Sequence, residues 1–501
     1  MKRILYTAIA VIILSTTVSF AQDRYDAMRW SQYFYDGTAR FAAMGGAFGA
    51  LGGDFASLSV NPAGIGVYRA AEFSLNPSYL STSTKSSFTG LPSMSRSKSR
   101  GDFNFGYVQP FILSNDKDDL ISINLGLGYN TMTDYHYDAF AYNKSGSSWL
   151  DALTDKMENN WEYFDPVKME GYNRYDNFGA GDWDAVLAWN SALVSEDSIG
   201  FYNALHNGDI IEQRRLVESR GRNSEFVFSL GGNYANTLFF GMTIGIQDIE
   251  YKKYLTYVED VVQTTEGTDL KWFDYRQFFE TEGSGINIRL GLLYRVNDNW
   301  RLGLAVHTPT WMNLTDYYSA SIQSEFQSDD QYYMPDKTPW YEYKYKVSTP
   351  ARYNLSAAYL FSNIGAVSVD YEYVDYSTIK MRESEESIYG NTFDKENDII
   401  KDEFAGASNI RIGVEVKPVN NFAIRAGYAF YGSPYKESVG GSPSTQIYSF
   451  GLGYRIDNFF VDAAYKYLTS KSGLYDIYNG SNTISEQYVT NQIALTFGFR
   501  F

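Results

Sequence analysis

The last ten residues of the chain, QIALTFGFRF, alternate strictly between large apolar side chains and polar or small ones. Successive side chains of a β-strand point to opposite faces, so one face of such a strand is wholly apolar. A soluble edge strand rarely exposes five large apolar residues, whereas a strand in a bilayer requires such a face. The alternation therefore predicts a transmembrane strand. Its outward set is Ile493, Leu495, Phe497, Phe499 and Phe501, and its inward set is Gln492, Ala494, Thr496, Gly498 and Arg500.

The same period of two recurs upstream, for example in NIRIGVEVKP and INIRLGLLYRV. Fourteen segments qualify, and an even number is typical of single-chain bacterial barrels. The predicted strands are 72–89, 101–114, 119–143, 223–235, 237–261, 274–296, 299–325, 341–361, 365–381, 406–417, 421–433, 444–456, 459–471 and 487–501.

The connections between these segments alternate between short and long. The even ones are turn-like, such as VNDN and KPVNN, while the odd ones are longer and the longest spans 144–222. A barrel whose termini both face the periplasm has tight periplasmic turns and longer extracellular loops, and a soluble sandwich or propeller has no reason to show this alternation. We therefore predict an all-β fold, a 14-stranded antiparallel transmembrane β-barrel over residues 72–501, in the outer membrane of a Gram-negative cell.

The first 21 residues predict a signal peptide cleaved after Ala21, because Lys2 and Arg3 precede a short apolar run and a small-x-small site. The chain has no cysteine, which excludes a lipoprotein anchor and disulfides. Its formal charge of −17 becomes more negative when Lys2 and Arg3 are removed, which argues against nucleic acid as a partner. The expected partners are outer-membrane lipid and, through the terminal aromatic residue, the barrel assembly machinery. We expect a monomer.

The long third-strand loop, 144–222, contains apolar residues at helical spacing in SSWLDALTDKM and DWDAVLAWNSALV. This spacing predicts two or three short amphipathic helices over the outer mouth of the barrel. They form either an apolar capture groove or a packed lid. The candidate groove residues are Trp149, Leu153, Met157, Trp183 and Leu187.

The segment 22–71, which precedes the first strand, is rich in glycine and alanine. Residues 37–69 alone hold eight glycines and seven alanines. A 14-stranded barrel encloses a lumen wider than its own side chains fill, and small residues let another backbone approach the wall closely. We expect this segment to fold back as a plug.

The plug sequence resembles the N-terminal hatch of the FadL/TodX family of outer-membrane transporters. The matching motifs are M-G-G-A at residues 44–47, D-F-A at 54–56 and N-P-A-G at 61–64, and the segments INIRLGLLYRVNDNWRLGLAVHTP and FAIRAGYAFYGSP also fit. The long loop and a tyrosine-rich outer rim, WYEYKYKV, depart from the family pattern. The resemblance assigns hatch and gating roles to Gly45, Gly46, Asp54, Asn61, Pro62, Ala63 and Gly64.

The resemblance implies passive uptake of long-chain fatty acids or other hydrophobic molecules, with sideways exit through a gap at a kinked third strand. The inward residues Gly126, Gly128 and Asn130 are candidates for that opening, since glycine in a strand often marks a bend. The alternative is that these residues only make room for the plug.

Inward arginines are candidates for holding a ligand carboxylate, which a guanidinium binds in a bidentate fork. The alternative is that they pair with lumen acids and with the plug. The candidates are Arg289, Arg411, Arg425 and Arg455.

The sequence argues against an enzyme. It has three histidines and no cysteine, and we expect no catalytic residues, no metal and no cofactor. His307 is the one candidate for a serine-hydrolase arrangement, and no phosphate-binding glycine motif is present. Two other functions stay open: a FadL-like barrel that is a subunit of a secretion or assembly machine, and a haem-binding outer-membrane protein.

Overall fold

The structure is a computed structural model. It describes residues 24–88, 94–114, 116, 119–265, 267–328, 332–333, 337–362, 364–385, 393–439, 444–471, 475–476 and 483–501. The predicted signal peptide, residues 1–21, lies outside this set. Among the described helices, none combines the length and the apolar character needed to span a membrane.

Fourteen antiparallel strands within the described residues form one closed sheet, and four of them are interrupted. They are β1 (Glu72–Phe88), β2 (Met94–Ile112), β3 (Leu120–Asp134 and Tyr137–Ser145), β4 (Ile210–Tyr234), β5 (Leu238–Gln263), β6 (Leu270–Arg295), β7 (Trp300–His307 and Trp311–Phe326), β8 (Tyr341–Ser348 and Arg352–Phe361), β9 (Gly365–Asp375 and Lys380–Glu383), β10 (Gly406–Val419), β11 (Phe422–Tyr431), β12 (Thr445–Ile456), β13 (Phe459–Lys471) and β14 (Thr483–Arg500).

The sheet closes because β1 pairs with both β2 and β14. Phe73, for example, lies opposite Tyr107 of β2 and opposite Phe499 of β14. Closure leaves no strand edge in the bilayer, where an unpaired amide or carbonyl would be costly. The predicted 14-stranded barrel is confirmed.

Side chains alternate across the wall as the sequence predicts. In β14, Thr496 is 0% exposed while the neighbouring Phe497 is 39% exposed. Leucine, isoleucine, valine and aromatic side chains form the outward face, which suits contact with lipid.

Two adjacent strands, β7 and β8, are interrupted at one level by Pro309 and Pro350. A proline has no N–H to donate to the ladder. The threonines beside the prolines replace the missing bonds, because the Thr310 amide donates to Thr349 Oγ1 (2.9 Å) and the Thr349 amide donates to the Thr310 carbonyl (3.1 Å).

Strand β4 begins at Ile210, well before the predicted start at residue 223. The stretch IEQRRLVESRGRNS carries charged or polar residues on both faces, so apolar alternation does not identify it as a strand. The connection from β3 to β4 is therefore 146–209. It contains three short α-helices, in line with the prediction of two or three: α3 (Trp149–Glu158), α4 (Pro166–Met169) and α5 (Trp183–Asn190).

The remaining elements are short and lie in the connections between strands. In the β3–β4 connection they are 3₁₀ helices at Arg174–Asn177 and Ala180–Asp182 and a strand pair, Val194–Glu196 with Phe201–Asn203; elsewhere they are α6 (Asp394–Glu403), 3₁₀ helices at Tyr376–Thr378 and Glu437–Val439, and two-residue strands at Tyr332–Tyr333 and Tyr475–Asp476.

Residues 24–71, called the hatch below, lie inside the barrel. The hatch contains α1 (Arg24–Ser31), α2 (Ala39–Ala43) and 3₁₀ helices at Phe55–Ser59 and Pro62–Val67. Helices this short are unstable alone, so contacts with the wall must hold them. Side-chain caps begin three of them: Thr38, Asp54 and Asn61 each accept a bond from a backbone N–H of the following turn.

Candidate functional site

Asn61 connects the hatch to the barrel wall. Its Nδ2 donates to the Gly49 carbonyl within the hatch (2.6 Å) and to the Leu292 carbonyl of β6 (3.1 Å). Its Oδ1 accepts from the Ala63 amide (3.1 Å), and Pro62 supplies a fixed φ for the first helical position. The side-chain amide of Asn61 therefore joins the N-P-A-G turn to the wall: its oxygen holds the turn, and its nitrogen bonds to the wall.

The wall opposite this turn is recessed by inward-facing glycines, called the glycine recess below. Gly241 and Gly291 are paired across β5 and β6. A Cβ on Gly241 would lie 2.3 Å from the Pro62 carbonyl oxygen, and one on Gly291 would lie 2.0 Å from Asn61 Oδ1. Real side chains never approach so closely, so the hatch seats only because these carbons are absent. The recess comprises Gly231, Gly241, Gly291 and Gly303.

The hatch glycines of the motifs serve turns and close contacts. Gly45 and Gly46 have φ angles of +62° and +76°, which side chains rarely adopt. The Gly45 amide donates to Ser449 Oγ of β12 (3.1 Å). Gly64 packs within the hatch, where an added Cβ would lie 2.6 Å from Ser57 Oγ.

Asp54 joins two hatch helices. Its carboxylate accepts from Thr38 Oγ1 (2.8 Å) and from the Ala56 amide (3.0 Å). Burial raises the pKa of Asp54 to about 6, although the nearby Arg40 guanidinium and these hydrogen bonds act in the opposite direction. Desolvation thus outweighs the partners, because a buried carboxylate loses more hydration than two or three bonds restore.

A buried polar cluster holds the next part of the hatch. Tyr35 of the hatch donates to Glu372 Oε2 of β9 (2.6 Å), and Arg411 of β10 lies over the Tyr35 ring at 4.6 Å. Arg352 pairs with Glu372 (3.2 Å), and Arg411 lies 3.7 Å from Asp370. Arg411, a predicted headgroup ligand, therefore faces two carboxylates and the hatch.

Arg289, the second predicted headgroup ligand in the inner wall, is also paired. Its Nη2 donates to Glu225 of β4 (2.5 Å), and both side chains are buried. Asn287 donates to the same carboxylate (2.9 Å). The buried Nη1 of Arg289 has no hydrogen-bond partner among the described residues, so a ligand carboxylate would find only this side of the guanidinium unoccupied.

The other two predicted arginines, Arg425 and Arg455, lie at the end of the barrel that carries the short turns, called the turn end below. Arg425 bonds to Glu415 (2.7 Å) and to Asp462 (2.5 Å). Arg455 is exposed and stacks over the Phe460 ring. The four candidates therefore do not form one binding site.

The opposite half of the lumen is filled by aromatic side chains around α1. Trp30 makes edge-on contacts with Tyr135 and Tyr251, both at 5.7 Å between centroids. Its Nε1 donates to the Tyr345 hydroxyl (3.3 Å). The tyrosine-rich segment WYEYKYKV contributes here, since Tyr343 and Tyr345 are buried in the lumen rather than standing on an outer rim.

The loop helices close this half of the lumen. Leu153, Met157, Trp183 and Leu187 are buried in the same apolar cluster as Trp30, and Trp149 packs against it. In this arrangement the predicted groove residues form a packed lid. Their role in capturing a ligand stays a prediction, and it requires the lid to open.

Pairing between β2 and β3 covers only part of their length. It runs from Ile112 opposite Ser122 to Phe105 opposite Tyr129, and among the described residues it goes no further. Beyond that point β3 turns inward: its second piece pairs with β4, and Asp138 approaches Lys98 on the inner side of β2 (4.0 Å). We call the unpaired stretch between the two strands the seam.

The predicted opening residues lie beside the start of the seam. A Cβ on Gly128 would lie 2.2 Å from Cζ of Phe55, and one on Gly126 would lie 2.9 Å from Cδ1 of Ile65. Asn130 is buried, with its Nδ2 3.4 Å from Ser59 Oγ of the hatch. These positions therefore accommodate the hatch and border the seam together, and their role in opening stays a prediction.

Sequence reasoning missed the glycine recess and the role of α1. A usable signal was present, because glycine occupies inward positions in LGGNY, FFGMT, RLGLL and RLGLA on four consecutive strands. For α1, the apolar residues of RYDAMRWS gave no such signal, since the segment is too short for a period to be read.

Comparisons with known proteins agree with this architecture. The sequence model of the outer membrane protein transport protein family (OMPP1/FadL/TodX) matches residues 235–498, more than half of the chain. A search of curated proteins found no significant match.

Solved structures of similar fold cover nearly the whole chain at low identity. A FadL homologue of Pseudomonas aeruginosa aligns at 12% identity and a TM-score of 0.57, over 94% of this chain and 100% of its own. The toluene transporters TodX of Pseudomonas putida (13%, 0.52) and TbuX of Ralstonia pickettii (17%, 0.50) each align over 93% of this chain and 99% of their own. The sequence match and the hatch-filled barrel together lead to one conclusion: this chain belongs to the FadL/TodX family of outer-membrane channels, which transport hydrophobic compounds and are not enzymes.

Proposed function

We propose that this chain mediates passive uptake of long-chain fatty acids or aromatic hydrocarbons, with sideways exit from the barrel into the outer membrane. The observation that carries the proposal is the seam, which begins beyond Phe105 and Tyr129. Continuous strand pairing would leave an apolar molecule no lateral route. Sideways release also avoids transfer into water, which costs about 0.8 kcal/mol for each CH₂ group.

Aromatic side chains support this exit route. Tyr129 stacks with Phe103 (5.8 Å between centroids) and contacts Phe226 (5.0 Å) beside the seam. Phe103 and Phe226 are exposed on the outer surface of the wall. An apolar ligand leaving through the seam therefore meets aromatic surface on its way to lipid.

The hatch has a direct means of gating the seam. The Phe55 ring fills the space over Gly106 and Gly128, at the inner side of the paired residues where the seam begins. Movement of the Phe55–Ser59 helix would clear that space. In this mechanism the ligand enters through the loop lid, displaces α1 and then shifts this part of the hatch, while the N-P-A-G turn stays in the glycine recess.

The ligand class is argued from the lumen. The half around α1 is lined by aromatic and aliphatic side chains, and Arg29, which lies over the Tyr251 ring at 4.3 Å, is already paired with Asp26. Two structures of similar fold are those of toluene transporters. Uptake of radiolabelled toluene and oleate by cells with and without the chain measures the preference directly.

A disulfide across the seam tests the lateral exit. Continuing the β2–β3 register places Asn104 opposite Asn130, and the natural chain has no cysteine, so the pair Asn104→Cys with Asn130→Cys forms a unique crosslink. Oxidation should abolish uptake, and a reductant should restore it. The pair Tyr107→Cys with Leu127→Cys, which bridges an already paired position, is the matched control and should leave uptake unchanged.

Uptake that continues through a fully oxidised seam would overturn the lateral route. Equal uptake in cells with and without the chain, together with failed secretion or barrel assembly in its absence, would instead support a machine subunit.

A further inference from the structure

A cavity of about 410 Å³ lies at the turn end between the hatch and the wall. It is separated from the aromatic half of the lumen by the body of the hatch, and residues from both the hatch and the barrel line it. We call it the turn-side cavity. The uptake route proposed above does not use it.

The turn-side cavity is basic in a chain that is strongly acidic. Seven lysine or arginine side chains and four carboxylates line it, which leaves an excess of three positive charges. The whole chain carries a formal charge of −17. A local excess of the opposite sign concentrates anions, because a cleft with low-dielectric walls focuses the field of its charges.

The carboxylates of the cavity are already engaged. Glu415 accepts from both Arg40 (3.0 Å) and Arg425 (2.7 Å). Glu72 pairs with Arg500 (2.5 Å). These pairs neutralise one another, so the positive excess resides in the lining cations that have no acidic partner.

Three of the lining arginines have no described carboxylate within ion-pair distance: Arg69, Arg301 and Arg455. Arg301 donates from Nη1 to the Leu51 carbonyl (2.8 Å), but its buried Nε has no hydrogen-bond partner among the described residues. The guanidinium of Arg455 lies over the Phe460 ring at 5.7 Å and is exposed. A buried guanidinium N–H without a partner is costly, so a bound anion would relieve a deficit that the protein leaves open.

The cavity also has apolar walls. Leu51 and Val67 of the hatch and Leu360, Phe422 and Phe460 of the barrel contribute to the lining. An inorganic ion would contact little of this surface. An anion that carries an alkyl chain would use both parts, with its charged group at the arginines and its chain along the apolar side chains.

We propose that the turn-side cavity binds an amphiphilic anion, a carboxylate or phosphate attached to an alkyl chain, with its charged group among the lining arginines that lack an acidic partner, which include Arg301 and Arg455. The anion is either a free amphiphile or the headgroup of an anionic lipid, since both present the same chemistry to a guanidinium. The site is independent of whether a ligand also passes the hatch from the loop side.

Photo-crosslinking tests the site on the full chain in nanodiscs of neutral phosphatidylcholine. The probes are diazirine-bearing palmitic acid, the corresponding palmityl alcohol, and phosphatidic acid with a diazirine in its acyl chain. Mass spectrometry should find carboxylate- or phosphate-dependent labelling of the peptides around Arg301 and Arg455. Comparing the labelling by palmitic acid with that by phosphatidic acid identifies whether the anion is a free amphiphile or a lipid headgroup.

The variants Arg301→Gln and Arg455→Gln should each lower this labelling about tenfold, the loss expected for a charged hydrogen bond. Arg276→Gln, an exposed arginine at the opposite end of β6, is the matched control and should change nothing. Arg301→Lys retains the charge and should retain part of the labelling; heat-modifiable gel migration confirms that each barrel is folded. Equal labelling by the alcohol and the acid, or labelling that survives both glutamine variants, would overturn the proposal.

Discussion

Asp54 is a hatch residue whose buried environment opposes its own charge. Its raised pKa, about 6, means that the folded hatch binds a proton more tightly than the unfolded segment, where an aspartate titrates near its usual value of 3.8. Stability linked to this group is therefore greatest below about pH 4 and is lost as the pH rises through about 6. Two pKa units correspond to about 3 kcal/mol.

We predict that the hatch is docked more firmly at pH 5 than at pH 7. Hydrogen exchange of amides in residues 38–57, corrected for the intrinsic effect of pH, should show slower opening at the lower pH. Asp54→Asn keeps the shape of the protonated acid and should remove this dependence. A difference between pH 5 and pH 7 that persists in the variant would assign the pH dependence to another group and contradict the role of Asp54.

At the scale of elements, the N-P-A-G turn docks only because the glycine recess leaves room for it. Gly291→Ala places a methyl group 2.0 Å from Asn61 Oδ1, and overpacking of this kind costs about 1–3 kcal/mol. We predict that the barrel still closes but that the undocked hatch becomes about tenfold more populated. Ion conductance in planar bilayers should rise accordingly. Gly101→Ala, where the nearest atom is 3.9 Å away, is the control, and unchanged conductance in Gly291→Ala would contradict the role of the recess.

The strands were predictable because the bilayer requires an apolar side chain at every outward position. Wherever a strand leaves the apolar belt this requirement no longer applies, which is why the start of β4 at Ile210 was missed. The inward turn of β3 after Asp134 was not predictable from local sequence either. It depends on β3 losing its pairing with β2 while it keeps β4 as a neighbour, and the residues on both sides of the turn alternate normally.

The sequence identified the motifs of the candidate site, but it did not identify the contacts that those motifs make. The hatch glycines and Asn61 were identifiable from the motifs around them, but the wall glycines that receive them look like any small lumen residue. Arg289 was correctly assigned to the inner face, yet its partner Glu225 is 64 positions away, and only the register of β4, β5 and β6 brings the two together.

At the scale of the whole molecule, the barrel holds itself closed without the hatch. Its strands are paired from β1 round to β14, and these ladders lie within residues 72–500. Ala71 adds one backbone pair with Phe501 (both bonds 3.0 Å), and the deletion below keeps this residue. We predict that deletion of residues 24–68 leaves a folded barrel that conducts ions freely, because a 14-stranded wall alone does not fill its lumen. Circular dichroism and heat-modifiable migration test the fold, and single-channel recording tests the pore. A deletion variant that stays closed would mean that the loop lid, rather than the hatch, seals the channel.

The bond from the Ala39 amide to Thr496 Oγ1 (2.7 Å) sets an order of events during biogenesis. A segment that is synthesised early is held by the last strand, so it has no complete binding surface until translation has ended and the wall has closed. Until then some fifty glycine- and alanine-rich residues travel through the periplasm without their final partners. Because this segment has few long apolar runs, it has little tendency to aggregate in the periplasm before it docks.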